Sequence, residues 1–135
     1  MDKRTKNSLK TIAEKYNLLL LIYFGSRAKN QHHKQSDYDF AFYKKEKTNE
    51  KQYNQMKKEI YDIIKNPNID LIDLNQQDDP LLRYEILKTG ECIYEKEKGI
   101  FEEAQTNSWF NYLYYKPYLK EQEEFVENSL KNMAE

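Results

Sequence analysis

Two aspartates, Asp37 and Asp39, flank a single tyrosine, and a glycine–serine pair, Gly25-Ser26, precedes them along the chain. In an extended segment residues i and i+2 share a face, so the two carboxylates point the same way, about 7 Å apart by the rise of a strand. Like charges held that close repel unless a cation lies between them, and an all-oxygen pair suits hard Mg²⁺. Gly25 lets the backbone approach a phosphate closely. The Ser26 hydroxyl and the N–H groups that follow it are phosphate donors, and Arg27 adds a charge-assisted contact. Ser36 adjoins the acids and either contacts the site or simply caps the loop. A third carboxylate from a neighbouring strand completes a two-metal or metal-plus-base centre. Asp70 and Asp73 are the candidates. They face opposite sides of a strand, so at most one of them joins the site.

Those residues need a scaffold. Leu18 to Phe24 is a continuous apolar run ended by Gly25, the pattern of a strand buried on both faces. Tyr38 to Tyr43 is a second strand and Ile69 to Leu74 a third, with Asn66-Pro67-Asn68 as the turn before it. Thr5 to Asn17 carries Leu9, Ile12, Ala13 and Tyr16 at helical spacing, and Asn49 to Lys65 carries Tyr53, Met56, Ile60 and Ile63-Ile64. Asp79 reads as an N-cap with Pro80 in the first helical position. Leu81 to Lys88 continues that helix to Gly90, and Cys92-Ile93-Tyr94 is a short strand. From Lys96 onward the chain reads as helical, with a break or kink at Pro117. The order predicts an α/β or α+β fold, a small mixed sheet flanked by helices with a C-terminal helical extension. The 135 residues fit a single domain, a core over about 1–95 and C-terminal helices over about 96–135.

The bulk numbers exclude some functions. Lys+Arg (22) and Asp+Glu (23) nearly cancel, leaving a net charge of -1, without the basic excess of a dedicated nucleic-acid binder. No stable nucleic-acid binding is expected, and the apolar run is far too short to span a bilayer. The basic first residues lead into no apolar segment of signal-peptide type. One cysteine, Cys92, forms no intrachain disulfide and fits a reducing cytoplasm.

The stretch Gly25-Ser26-Arg27-Ala28 … Ser36-Asp37-Tyr38-Asp39, followed by Ile69-Asp70-Leu71, resembles the nucleotidyltransferase superfamily pattern of DNA polymerase beta-like enzymes. Along nearly its whole length the chain resembles, more closely, the minimal nucleotidyltransferases (MNT proteins), including Asp78–Gly90 and the Tyr-Lys-Pro-Tyr-Leu of the tail. The resemblance implies metal binding at Asp37 and Asp39, with Asp70 rather than Asp73 as the third acid, and nucleotide phosphates at Gly25 and Ser26. It implies Mg²⁺, two ions, and ATP as substrate. Members of that family are typically encoded beside a HEPN-domain ribonuclease. Several act as its antitoxin by moving AMP from ATP onto a tyrosine of the toxin, so a hetero-oligomer with such a partner is expected. Two other readings are a small-molecule nucleotidyltransferase of the antibiotic-modifying type and an antitoxin that blocks its toxin by contact alone.

Other residues invite chemistry and carry less of it. His32 and His33 sit in a polar loop without an acid or cysteine at ligand spacing, so they read as solvated. Arg27 and His32 match the Arg-to-His spacing of HEPN ribonucleases by chance, because Arg27 belongs to the phosphate loop and no long helix surrounds the pair. Cys92 reads as a packed, inert thiol. The tail is dense in aromatics, with Trp109, Phe110, Tyr112, Tyr114, Tyr115 and Tyr118. Core packing accounts for those at helical spacing, such as Trp109, Tyr112 and Leu119. The rest are too many for one face, and a surplus of exposed aromatics marks an interface. A chain this short offers few walls for a small acceptor, whereas a partner protein brings its own.

Overall fold

The computed structural model describes residues 1–25 and 38–134. Its elements run in the order α1 (Lys3–Lys15), β1 (Leu18–Phe24), β2 (Tyr38–Lys44), α2 (Glu50–Ile64), β3 (Ile69–Asp73), α3 (Pro80–Thr89), β4 (Glu91–Glu95) and α4 (Ile100–Ala134). The four strands form one sheet in the order β3-β2-β1-β4. β1 is antiparallel to β2 and to β4, and β2 is parallel to β3. A parallel neighbour cannot be reached by a hairpin, and α2 is the crossover that carries the chain from the end of β2 to the start of β3.

Side-chain alternation on β1 and β2 feeds two apolar layers. On one face Leu18, Leu21, Tyr23, Phe40 and Phe42 pack against Leu9 and Ile12 of α1 and Met56 and Ile60 of α2. On the other, Leu20, Ile22 and Ala41 pack against Ile86 and Leu87 of α3, with Phe101 and Ala104 of α4 beside them. β1 is therefore covered on both sides, as its unbroken apolar run predicts.

Local signals hold at the ends of α3. The Asp79 side chain accepts from the Leu81 N–H at 3.0 Å, and Pro80 opens the helix. The Gly90 N–H closes it on the Ile86 carbonyl at 2.9 Å. Gly90 has φ -75, so its role is not the left-handed turn that commonly ends a helix. A Cβ there would stand 2.4 Å from Cγ2 of Ile22, so the glycine lets the chain press against β1.

The C-terminal expectation needs two corrections. The last helix starts at Ile100 rather than Lys96, after a turn in which Gly99 adopts φ +102. It then runs unbroken through Pro117 to Ala134. Proline removes one donor, the N–H that would reach the carbonyl four residues earlier. Neighbouring positions 111 and 114 to 118 are exposed, so water can satisfy what is left open.

Candidate active site

The sheet brings three of the predicted site residues together. Asp39 lies second in β2, with Phe24 as its register partner on β1 and Asp70 as its partner on β3. Neighbouring strands lie about 5 Å apart and register partners point to the same face. Asp39 alternates with Phe40, and Asp70 with Ile69 and Leu71, all three of which belong to the α1/α2 layer. Both carboxylates therefore point to the opposite face, the one that α3 and α4 cover further along the sheet. Asp39 is partly buried and Asp70 exposed. An all-oxygen pair of this kind is the donor chemistry that Mg²⁺ takes.

Gly25 is built into the same corner. It follows β1 with φ +88, a conformation that side chains rarely adopt. An ideal Cβ on it would lie 2.2 Å from Oδ2 of Asp39. The space a side chain would need holds the Asp39 carboxylate instead, so the bare backbone of the β1 turn lies directly against an acid. That is the arrangement needed to bring a phosphate chain and a carboxylate-held cation to one point.

Asp73 is elsewhere. Its register partner is Phe42, it projects toward the α1/α2 face, and its Oδ1 accepts from the Asn75 N–H at 3.0 Å in the turn after the strand. Ser26, Arg27, Ser36 and Asp37 lie outside the described residues, as do His32 and His33. Among the described residues no group of three or more His, Cys, Asp or Glu side chains forms a metal cage. Asp39 and Asp70 make a pair across β2 and β3.

One contributor is not legible as such in the sequence. Tyr53 of α2 donates its hydroxyl to the Leu71 carbonyl at 2.5 Å, on the residue after Asp70. β3 is an edge strand, and this bond ties it to α2. Burial first, then the charges of Asp70 and Asp73, hold the Tyr53 phenol above its ordinary pKa, so it remains a donor. Its helical spacing marked it only as core. Cys92 is half-buried, and burial, followed by the charge of Glu95, pushes its thiol up to about 11, which keeps it an unreactive thiol. A cavity of about 700 Å³ lined by Lys15, Asn17, Lys44 and Gln52 opens at the other end of β2, away from the acids, with cations and carboxylates mixed in its walls.

The family model for polymerase beta nucleotidyltransferases matches residues 7–99, a span that includes all four strands and both described acids. The chain belongs to this nucleotidyltransferase family. Solved structures share its fold. A chain of a toxin–antitoxin complex with AMP-PNP superposes with a TM-score of 0.75 at 16% identity, covering 93% of this chain and 98% of that one. A chain of the tri-AMPylated Shewanella oneidensis HEPN toxin in complex with its MNT antitoxin gives 0.71 at 14%, covering 96% and 99%. A chain of the toxin–antitoxin pair MntA–HepT gives the same four values. Likeness at these identities is a likeness of fold. Among curated proteins, none matches. Among the described residues no helix is long and apolar enough to cross a membrane.

Proposed function

We propose that this nucleotidyltransferase is an antitoxin that transfers AMP from ATP to a tyrosine of a HEPN-domain ribonuclease and so neutralises it. The observation that carries the reading is the corner where Asp39 and Asp70 stand in register with Gly25 packed against the Asp39 carboxylate. The neighbouring folds add support, because one is a toxin–antitoxin complex with AMP-PNP and another contains an AMPylated HEPN toxin. A net charge of -1 speaks against long RNA as the acceptor. An ATP-using enzyme with a lone protonated thiol belongs in the cytoplasm.

Asp37, Asp39 and Asp70 would hold two Mg²⁺ ions, which supply charge neutralisation at the attacking and leaving oxygens. The chain's own residues do the rest. Gly25 leaves room for the triphosphate to lie along the backbone, and Ser26, Arg27 and Ser36 grip its oxygens. Asp70 takes the proton from the incoming tyrosine Oη. That oxygen bonds to the α-phosphorus, the bond from the α-phosphorus to the bridging oxygen breaks, and diphosphate leaves. Asp70 is exposed, and a chain this short brings few walls of its own, so those around the acceptor come from the partner protein.

The test is an intact mass of the HEPN-domain protein encoded beside this chain, after incubation with the chain, ATP and Mg²⁺. A gain of one or more AMP units is expected, abolished by Asp37→Asn combined with Asp39→Asn. A stable complex without any mass gain would reduce the protein to a contact antitoxin. Transfer to a small hydroxyl compound without a partner would make it a small-molecule enzyme.

A further inference from the structure

α4 has two faces of opposite fortune. Phe101, Gln105, Ser108 and Tyr112 recur at helical spacing and turn inward. Phe101 joins the layer against α3, the Gln105 side chain donates to the Leu87 carbonyl at 2.9 Å, Ser108 is 2% exposed, and Tyr112 stacks on Tyr84 at 5.2 Å. On the outward side, at ~100° per residue, Phe110, Leu113, Tyr114, Tyr118 and Phe125 form a second, broader apolar stripe. These side chains are 40% to 79% exposed. They stretch for ~22 Å along the helix, and at 150–250 Å² for each full aromatic they offer on the order of 700 Å². A stable protein interface buries ~800 Å² on each partner. The stripe alone is nearly that large, and a monomer rarely leaves so much contiguous apolar surface in water.

We propose that the outer stripe of α4 seats the partner protein, and that it takes an amphipathic helix with Arg or Lys beside its apolar ridge. The identity of that partner as the HEPN-domain ribonuclease rests on the function proposed above. The charge on the stripe selects a foreign partner over a second copy. Glu121 and Glu124 fall on the same face, both are exposed, and neither makes an ion pair with another described residue. No described side chain on the stripe is cationic, so a second copy laid on it would bring carboxylates to carboxylates. A protein that cleaves RNA must present cations to a polyanion, and it therefore brings the charge that Glu121 and Glu124 lack. The stripe is then a surface that excludes its own copy and accepts a basic stranger.

The test measures binding of the full-length chain to that HEPN-domain protein at low and high salt. Phe110→Ser combined with Tyr114→Ser and Phe125→Ser is expected to weaken the Kd by at least ~100-fold, since buried aromatics dominate interface energy. Glu121→Lys with Glu124→Lys keeps the apolar stripe intact and is expected to weaken the Kd ~10-fold at low salt and less at high salt. Tyr61→Ser, an equally exposed aromatic on α2, is expected to leave the Kd unchanged. If both α4 variants bind like wild type while AMP transfer persists, the docking site is overturned and the enzymatic reading stands. If the isolated wild-type chain is a dimer by light scattering and the triple variant a monomer, the stripe belongs to a second copy and the proposal is wrong. If wild type binds no HEPN protein, the partner itself is wrong, and the docking proposal fails with it.

Discussion

The acid corner and the tail of α4 are built on opposite logics. At the acid corner each residue is held by others. Asp39 sits between Phe24 and Asp70 in the sheet, Gly25 gives up its side chain to the Asp39 carboxylate, and Tyr53 pins the strand that carries Asp70. Beyond Tyr112, α4 is the reverse: a helix that satisfies its own backbone and presents large side chains to solvent. Precision needs many contacts per residue, whereas an interface needs unspent apolar area. The chain invests in the first at the sheet and leaves the second on the helix.

That contrast can be broken or sharpened by substitution. The largest effect belongs to the acids. Asp70→Asn is expected to cut the rate of AMP transfer by ~10²–10³-fold, while Asp73→Asn, on the far face, stays within a few-fold; initial rates compared side by side would reveal an inverted order and so refute the register argument. Next comes the inner face of α4. Tyr84→Ala removes the ring against which Trp109 and Tyr112 pack and is expected to cost about 2 kcal/mol in urea unfolding. Phe110→Ser on the outer face should stay within about 0.5 kcal/mol. Equal losses would mean that the outer stripe packs on this chain. Tyr53→Phe leaves the Leu71 carbonyl without its donor, so a loss of about 1 kcal/mol in stability and a drop in transfer rate below tenfold are expected, with the KM for ATP unchanged. The smallest effect concerns Cys92. Because its folded pKa is raised to about 11, the thiolate is scarce at neutral pH; alkylation should be slow near pH 8, climb only toward pH 11, and reach the rate of a free cysteine in denaturant. Fast labelling of the folded protein would show the thiol to be open.

How far the sequence could be read varies from element to element. β1 was plain, since seven apolar residues ending at a glycine have few other uses. The start and end of α3 were plain as well, because Asp79, Pro80 and Gly90 act on their own neighbours. α4 was misjudged at its start, and the break that Pro117 allows does not occur, because helix-breaking rules compete there with a long, otherwise favourable run. Trp109, expected in the core, is 40% exposed and only leans on Tyr84. Tyr53 looked like any core aromatic, because nothing near it in the chain announces a bond to Leu71.

Residue types and local spacing were enough to propose a chemistry, since a carboxylate pair, a glycine turn and a buried strand are properties of short segments. They were also enough to expect an interface on the tail, because the excess of aromatics is visible in a count. Which acid faces Asp39 is a different kind of fact. It depends on β3 lying parallel beside β2 with Asp70 opposite Asp39, a register set by packing two apolar layers across a sheet whose strands are distant in the chain. The same holds for Gly25, whose missing side chain matters because of an oxygen fourteen residues later in the sequence. It holds for α4 too, where the inner stripe is distinguished from the outer only once α3 has taken its side. Long-range contacts decide such questions because a strand's two faces, and a helix's many, are equivalent until something packs on one of them.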